Sequence, residues 1–165
     1  MPEFPLPEFT RSLRALAVPS EPGSDHDLIF APLIQARTMA HRASSLEAQL
    51  AAFDATRLER AWRSAILALA EARHKRSPPD QRALAAELEI LAGPLWGALV
   101  TVRVAADAAK AATRDDRRAA WERWVATIQQ LFRAADDWWH SALGALSDSR
   151  GRRGALWRGA TSKAR

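Results

Sequence analysis

Residues 113–148 read TRDDRRAAWERWVATIQQLFRAADDWWHSALGALSD. The bulky apolar positions are Trp121, Trp124/Val125, Ile128, Leu131/Phe132, Ala135, Trp138/Trp139, Ala142/Leu143 and Leu146. Steps of three and four place them on one face of an α-helix, whereas a strand would alternate. At ~1.5 Å per residue this helix is roughly 50 Å long. A stripe so wide, holding four of the seven tryptophans, has to be covered by other helices or by another protein.

The rest of the composition agrees with helix. Across 165 residues alanine is abundant, β-branched runs are nearly absent and the seven glycines are scattered or terminal. That predicts an all-α chain, one domain with a usable core and tails at either end. With no cysteine, disulfides and thiolate metal sites are excluded. The first residues, MPEFPLPEF, carry acids and prolines where a secretory signal has a basic start and an apolar run, which predicts a cytoplasmic protein. The longest apolar window, 88–102, is interrupted by Glu89, Gly93 and Pro94. It falls short of the ~20 residues that cross a bilayer, so the reading is a soluble chain without a membrane span.

Charge is unevenly placed. Residues 149–165 hold Arg150, Arg152, Arg153, Arg158, Lys163 and Arg165 and no acid, so the net charge of +5 is smaller than the tail's own +6. Residues 1–148 carry the other 18 cations and all 19 acids. A basic tail on a near-neutral body differs from a uniformly basic nucleic-acid-binding domain.

Three segments follow from this. Residues 1–24 form a Pro-rich extended arm in which Pro2-Glu3-Phe4 is echoed by Pro7-Glu8-Phe9. It is either a disordered start or an arm whose Phe4, Leu6 and Phe9 dock on this chain or a neighbour. A short helix from Thr10 to Ala17 follows it. Residues 25–148 are expected to form an antiparallel bundle of about four main helices. Helix A starts between Asp25 and Pro32 and shows Met39, Ala43, Leu46, Leu50 and Phe53 on one stripe. Helix B starts near Thr56, which with Glu59 fits a capping box, and shows Leu58, Trp62, Ala65, Leu69 and Ala72. A slip in phase between Phe53 and Leu58 favours a hairpin over one kinked helix. Arg73-His74-Lys75-Arg76 and Ser77-Pro78-Pro79-Asp80 mark the clearest turn. Helix C keeps one stripe of Leu84, Leu88, Leu91, Leu95, Ala98, Val102, Ala105, Ala109 and Ala112, across a kink at Gly93-Pro94. Helix D opens at a Thr113/Asp116 box. Residues 149–165 lack a periodic stripe and read as a flexible basic Gly/Arg tail.

Catalytic signals are absent from the pattern. His140 follows Asp136 by four residues, a spacing two metal ligands can share, but no further histidine pair accompanies it. Asp115-Asp116 and Asp136-Asp137 each have nearby arginines that account for them. There is no nucleophile elbow, phosphate loop or dinucleotide fingerprint. The expectation is no enzyme, no metal and no cofactor.

Two sets of residues point to partners instead. Trp138 and Trp139 diverge by ~100° on a helix, so one of them is expected at a boundary. Trp139 and Trp96, with Phe4 and Phe9, are the candidate protein-interface anchors. Arginines cluster as Arg57, Arg60 and Arg63, as Arg114, Arg117 and Arg118, and in the tail as Arg150, Arg152, Arg153 and Arg158 around Trp157. Such arginines neutralise phosphates while a tryptophan stacks on bases. The chain therefore reads as a non-enzymatic helical subunit of a nucleoprotein assembly, touching RNA or DNA backbone and neighbouring protein subunits. In size, helicity and lack of catalytic groups it is similar to the small helical subunits of CRISPR effector complexes, a likeness of architecture. The alternative is a protein-only helical adaptor or assembly subunit, and self-association fits either.

Overall fold

The computed structural model describes residues 24–163, without the side chains of residues 24, 26, 27 and 148–163. The chain is all-α, with no strand among the described residues. Its helices are α1 (Ser24–Arg42), α2 (Leu46–Ala52), α3 (Ala55–Arg73), α4 (Pro78–Leu91), α5 (Gly93–Ala111) and α6 (Arg117–Lys163). The proposed arm, with its short helix over Thr10–Ala17, lies outside the described residues.

Where helix A was expected, the chain forms two helices. α1 ends at Arg42 and α2 restarts after Ser45, whose hydroxyl accepts from the Ala48 backbone N–H at 3.1 Å. Ser45 thus supplies the cap that lets a seven-residue helix begin without glycine or proline. The stripe expected on helix A holds at Leu50 and Phe53, which are buried, but not in α1. Ile29, Leu33, Ala36 and Ala40 are buried, while Met39 is 47% exposed. Small alanines set the seam here, and the larger methionine lies beside it.

α3 is capped by Asp54, whose carboxylate accepts from the Thr56 N–H at 3.0 Å. The cap therefore lies two residues upstream of the expected Thr56/Glu59 box, and Asp54 supplies it alone. α1 and α3 run antiparallel. Asp25 at the start of α1 pairs with Arg73 at the end of α3 at 2.9 Å, and Arg57 near the start of α3 reaches Met39 Sδ at 3.5 Å. Between them Trp62 donates its indole N–H to the Ile29 carbonyl at 2.7 Å, in a buried site. The hairpin reading of A and B holds, with α2 at its corner.

The predicted turn after α3 is present. Ser77 precedes Pro78 at the first position of α4, and the Gln81 side-chain amide donates to the His74 carbonyl at 2.7 Å. α4 and α5 continue one another with a bend of 52° at Ala92. Leu84, Leu88, Leu95, Leu99, Val102 and Ala109 stay buried on both sides of the bend, so the phase survives the Gly-Pro break. No single described helix is long and apolar enough to cross a membrane, and only this bent pair passes by length and composition together.

α6 makes its broadest interface with α5. Trp124, Ile128, Leu131, Ala135, Trp138 and Ala142 are at most 1% exposed. Phe53, the C-cap of α2, meets Trp124 edge-on with ring centroids 6.0 Å apart and Phe132 at 6.5 Å. The corner of the first hairpin is thereby wedged against the aromatic stripe of α6. Thr113 hydrogen-bonds Asp116 side chain to side chain at 2.9 Å, but α6 itself begins at Arg117. At its other end α6 does not stop near Asp148, where a flexible tail was expected. The helix is continuous to Lys163.

Candidate functional site

The arginines of α3 were expected to form one exposed stripe. The packing separates them. Arg57 donates to the Ala52 carbonyl, so it closes the C-terminal end of α2. Arg63 donates to Glu89 on α4 and to Glu59 one turn earlier at 3.1 Å, and its guanidinium lies 4.8 Å from the centroid of the Trp96 ring. Those bonds, to Glu89 first and Glu59 second, raise the pKa of Arg63 above its ordinary value. Trp96 meanwhile donates to the Glu89 carbonyl at 3.3 Å. Arg63, Glu89 and Trp96 therefore form a clasp across α3, α4 and α5. All three are exposed, and Arg60 is the one for which no hydrogen bond or ion pair is found among the described residues.

At the α5–α6 turn, Arg114, Arg117 and Arg118 are all exposed. Arg118 pairs with Glu122 at 3.3 Å, with both side chains well solvated. Arg117 and Arg118 open α6 with no acid in its first turn, where the positive end of the helix dipole opposes cations and favours an anion. Asp115 and Asp116 lie beside them, so the turn is a mixed-charge surface. Lys110, exposed at the end of α5, was not singled out from the sequence and joins this end. Nor was Arg103, which donates to Thr56 Oγ1 at 3.1 Å. Both residues sit on a helix whose apolar repeat dominates its reading, so its isolated cations carry no periodic signal.

Arg150, Arg152, Arg153, Trp157 and Arg158 lie on the continuation of α6 past Leu146, the last buried position among its described side chains. Their side chains are outside the described residues. Because α6 is 47 residues long, this basic segment and Arg117 sit at opposite ends of a helix roughly 70 Å in length. The structure does not gather the three arginine groups into one patch.

Among the interface candidates, Phe4 and Phe9 lie outside the described residues, and Trp96 is half-buried beneath Arg63. Trp139 corrects an expectation, since both members of the tryptophan pair are buried, at 1% and 6% exposure. Divergence of ~100° exposes one ring only when a helix is covered on one side. α6 packs against α1, α4 and α5, and this wide cover takes both.

The His140 ring Nδ1 sits 2.8 Å from the Asp136 carbonyl oxygen and 3.6 Å from its carboxylate, one turn away on an exposed face. Among the described residues no group of three or more His, Asp or Glu side chains comes close enough to hold a metal ion. A groove of about 530 Å³ lies between α3 and α4, floored by Ile66, Ala70 and Ala85, with Leu67, Arg82 and Glu71 along its edges. No protein-family model, curated protein or solved structure matches the chain.

Proposed function

We propose that the chain is a non-enzymatic helical subunit of a nucleoprotein assembly. In this reading the helices form a bundle of four antiparallel passes, α1–α2, α3, α4–α5 and α6, between a Pro-rich arm and a basic tail. The bundle is scaffold, and the basic end of α6 is the principal contact with nucleic-acid backbone. One observation carries the reading. Residues 149–165 concentrate six cations and no acid, whereas the preceding 148 residues are nearly neutral. A concentrated positive segment at one end of a helix binds phosphates without sequence preference and releases counterions as it does so.

Arg60, Arg114 and Arg117 are the secondary contacts. Arg57 and Arg63 are better read as ties within the bundle, because each already has a partner on another helix. The comparison with small helical subunits of CRISPR effector complexes remains one of architecture. A cytoplasmic location belongs to the same proposal.

The test is a purification without nuclease of the intact chain and of a form ending at Asp148. The intact chain is expected to carry nucleic acid through a low-salt column and to lose it at high salt, while the shortened form elutes clean. If neither form retains nucleic acid or binds added RNA or DNA at low salt, the nucleoprotein reading fails and a protein-only adaptor takes its place.

A further inference from the structure

α5 buries Leu95, Leu99, Val102 and Ala109, yet its opposite side is also uncharged. Gly97, Val100, Val104, Ala108 and Ala111 are all exposed, Val100 at 59% and Val104 at 64%. Ile90, in the last turn of α4 across the 52° bend, is 78% exposed. With ~100° per residue, the five α5 positions fall within an arc of roughly 80°. In a chain with 26% charged residues, a helix apolar on both sides is normally enclosed.

Gly97 lies on the same face. A Cβ built there meets nothing within 4 Å. Glycine in a helix interior is unfavourable relative to alanine, and no neighbour within this chain requires it. A position without a side chain on an exposed apolar face suits the close approach of another helix.

We propose that the outer face of α5 docks against the same face of a second copy, antiparallel, about a two-fold axis near Val104. Reversal about Val104 sets Val100 of each copy opposite Ala108 of the other, and Gly97 opposite Ala111, so large residues meet small ones. The charges at the edge of the face match in the same arrangement. Arg103, Asp107 and Lys110 lie on one flank, and the axis brings Asp107 of each copy within ~3 Å, along the helix direction, of Arg103 of the other. Two symmetric ion pairs result once each Arg103 turns from the Thr56 hydroxyl that it meets within its own chain. Such self-complementarity is what an isologous interface requires. From Gly97 to Ala111 the face is roughly 21 Å long and ~10 Å wide, at the small end of specific interfaces.

The experiment is light scattering on the nuclease-treated full chain, so that its outcome is separate from any nucleic-acid binding. At about 100 µM, well above a Kd on the order of 10 µM, the chain is expected to show the mass of two copies. Val104→Arg is expected to give the mass of one copy with unchanged helical circular dichroism. Arg103→Asp and Asp107→Arg are each expected to weaken association at least tenfold, and the double exchange to restore most of it. A wild-type chain that stays single at this concentration overturns the proposal, including one that instead binds lipid vesicles. So does a Val104→Arg dimer of unchanged affinity, or a charge exchange that restores nothing.

Discussion

The indole N–H of Trp138 donates to the carbonyl oxygen of Leu88 at 3.1 Å, in a buried site that joins α6 to the last turn of α4. Leu88 lies just before the 52° bend at Ala92, so this bond fixes the point about which α4 and α5 change direction against α6. Trp138→Phe keeps most of the ring and removes the donor, at an expected cost of about 1–2 kcal/mol. Trp138→Ala also opens a cavity and is expected to cost about 3–5 kcal/mol. Equilibrium urea unfolding of both variants measures the two terms. An alanine variant as stable as the parent would place the ring outside the core.

The start of α3 gives a sharper local test. Asp54, not Thr56, carries the capping acceptor, so Asp54→Ala is expected to destabilise by about 0.5–2 kcal/mol. Thr56→Ala is expected to fall within about 0.5 kcal/mol of the parent, as for a surface substitution outside any cap. Thermal unfolding of the pair decides the matter, and a reversal of the order would restore the Thr56/Glu59 box.

Arg63 and the arginines at the α5–α6 turn should separate in function. Arg63→Gln breaks pairs to Glu89 and Glu59 that are about half exposed. Its cost in stability is expected to stay near or below ~1 kcal/mol, with nucleic-acid affinity unchanged. The double variant Arg114→Gln/Arg117→Gln is expected to flatten the dependence of log affinity on log salt by about 1.4 for a single strand. Filter-binding across a salt series compares them. A larger effect from Arg63 than from the turn would put the contact on α3 instead.

Gly144 lies inside α6, and a Cβ placed there meets nothing within 4 Å. Gly144→Ala is therefore expected to raise stability by about 0.5–1 kcal/mol through the usual helix preference. A calorimetric scan reads the shift in Tm. A fall in Tm would show that something packs against this glycine.

How far the sequence predicts these features depends on whether the controlling contact is local. The α6 stripe is legible because 3.6-residue spacing and large side chains point the same way, and every named position from Trp121 to Ala135 except Val125 is buried. The turn at Ser77-Pro78 is equally local. In α1 the seam is built on Ala36 and Ala40, and a hydrophobicity count prefers Met39 to either. Trp139 is buried because helices cover α6 on more than one side, which the periodicity of α6 alone does not show. The roles of Arg57 and Arg63 were hidden for a similar reason. Glu89, which holds Arg63, is 26 residues away on another helix, and no spacing rule links them. For the basic segment the order is reversed. Its charge is plain in the sequence, and the structure adds the continuous helix that carries it.

The most direct measurement is the salt dependence of binding to a single-stranded RNA of mixed sequence. It compares the nuclease-treated full chain with the same chain carrying Gln at 150, 152, 153 and 158. If the six cations of residues 149–165 all neutralise phosphates, log affinity falls against log salt with a slope of about −4, and the four substitutions flatten it by about 3. The affinity at low salt should fall with them. Equal slopes and equal affinities for the two proteins, or no binding by the parent at low salt, would contradict a role for this segment in holding nucleic acid.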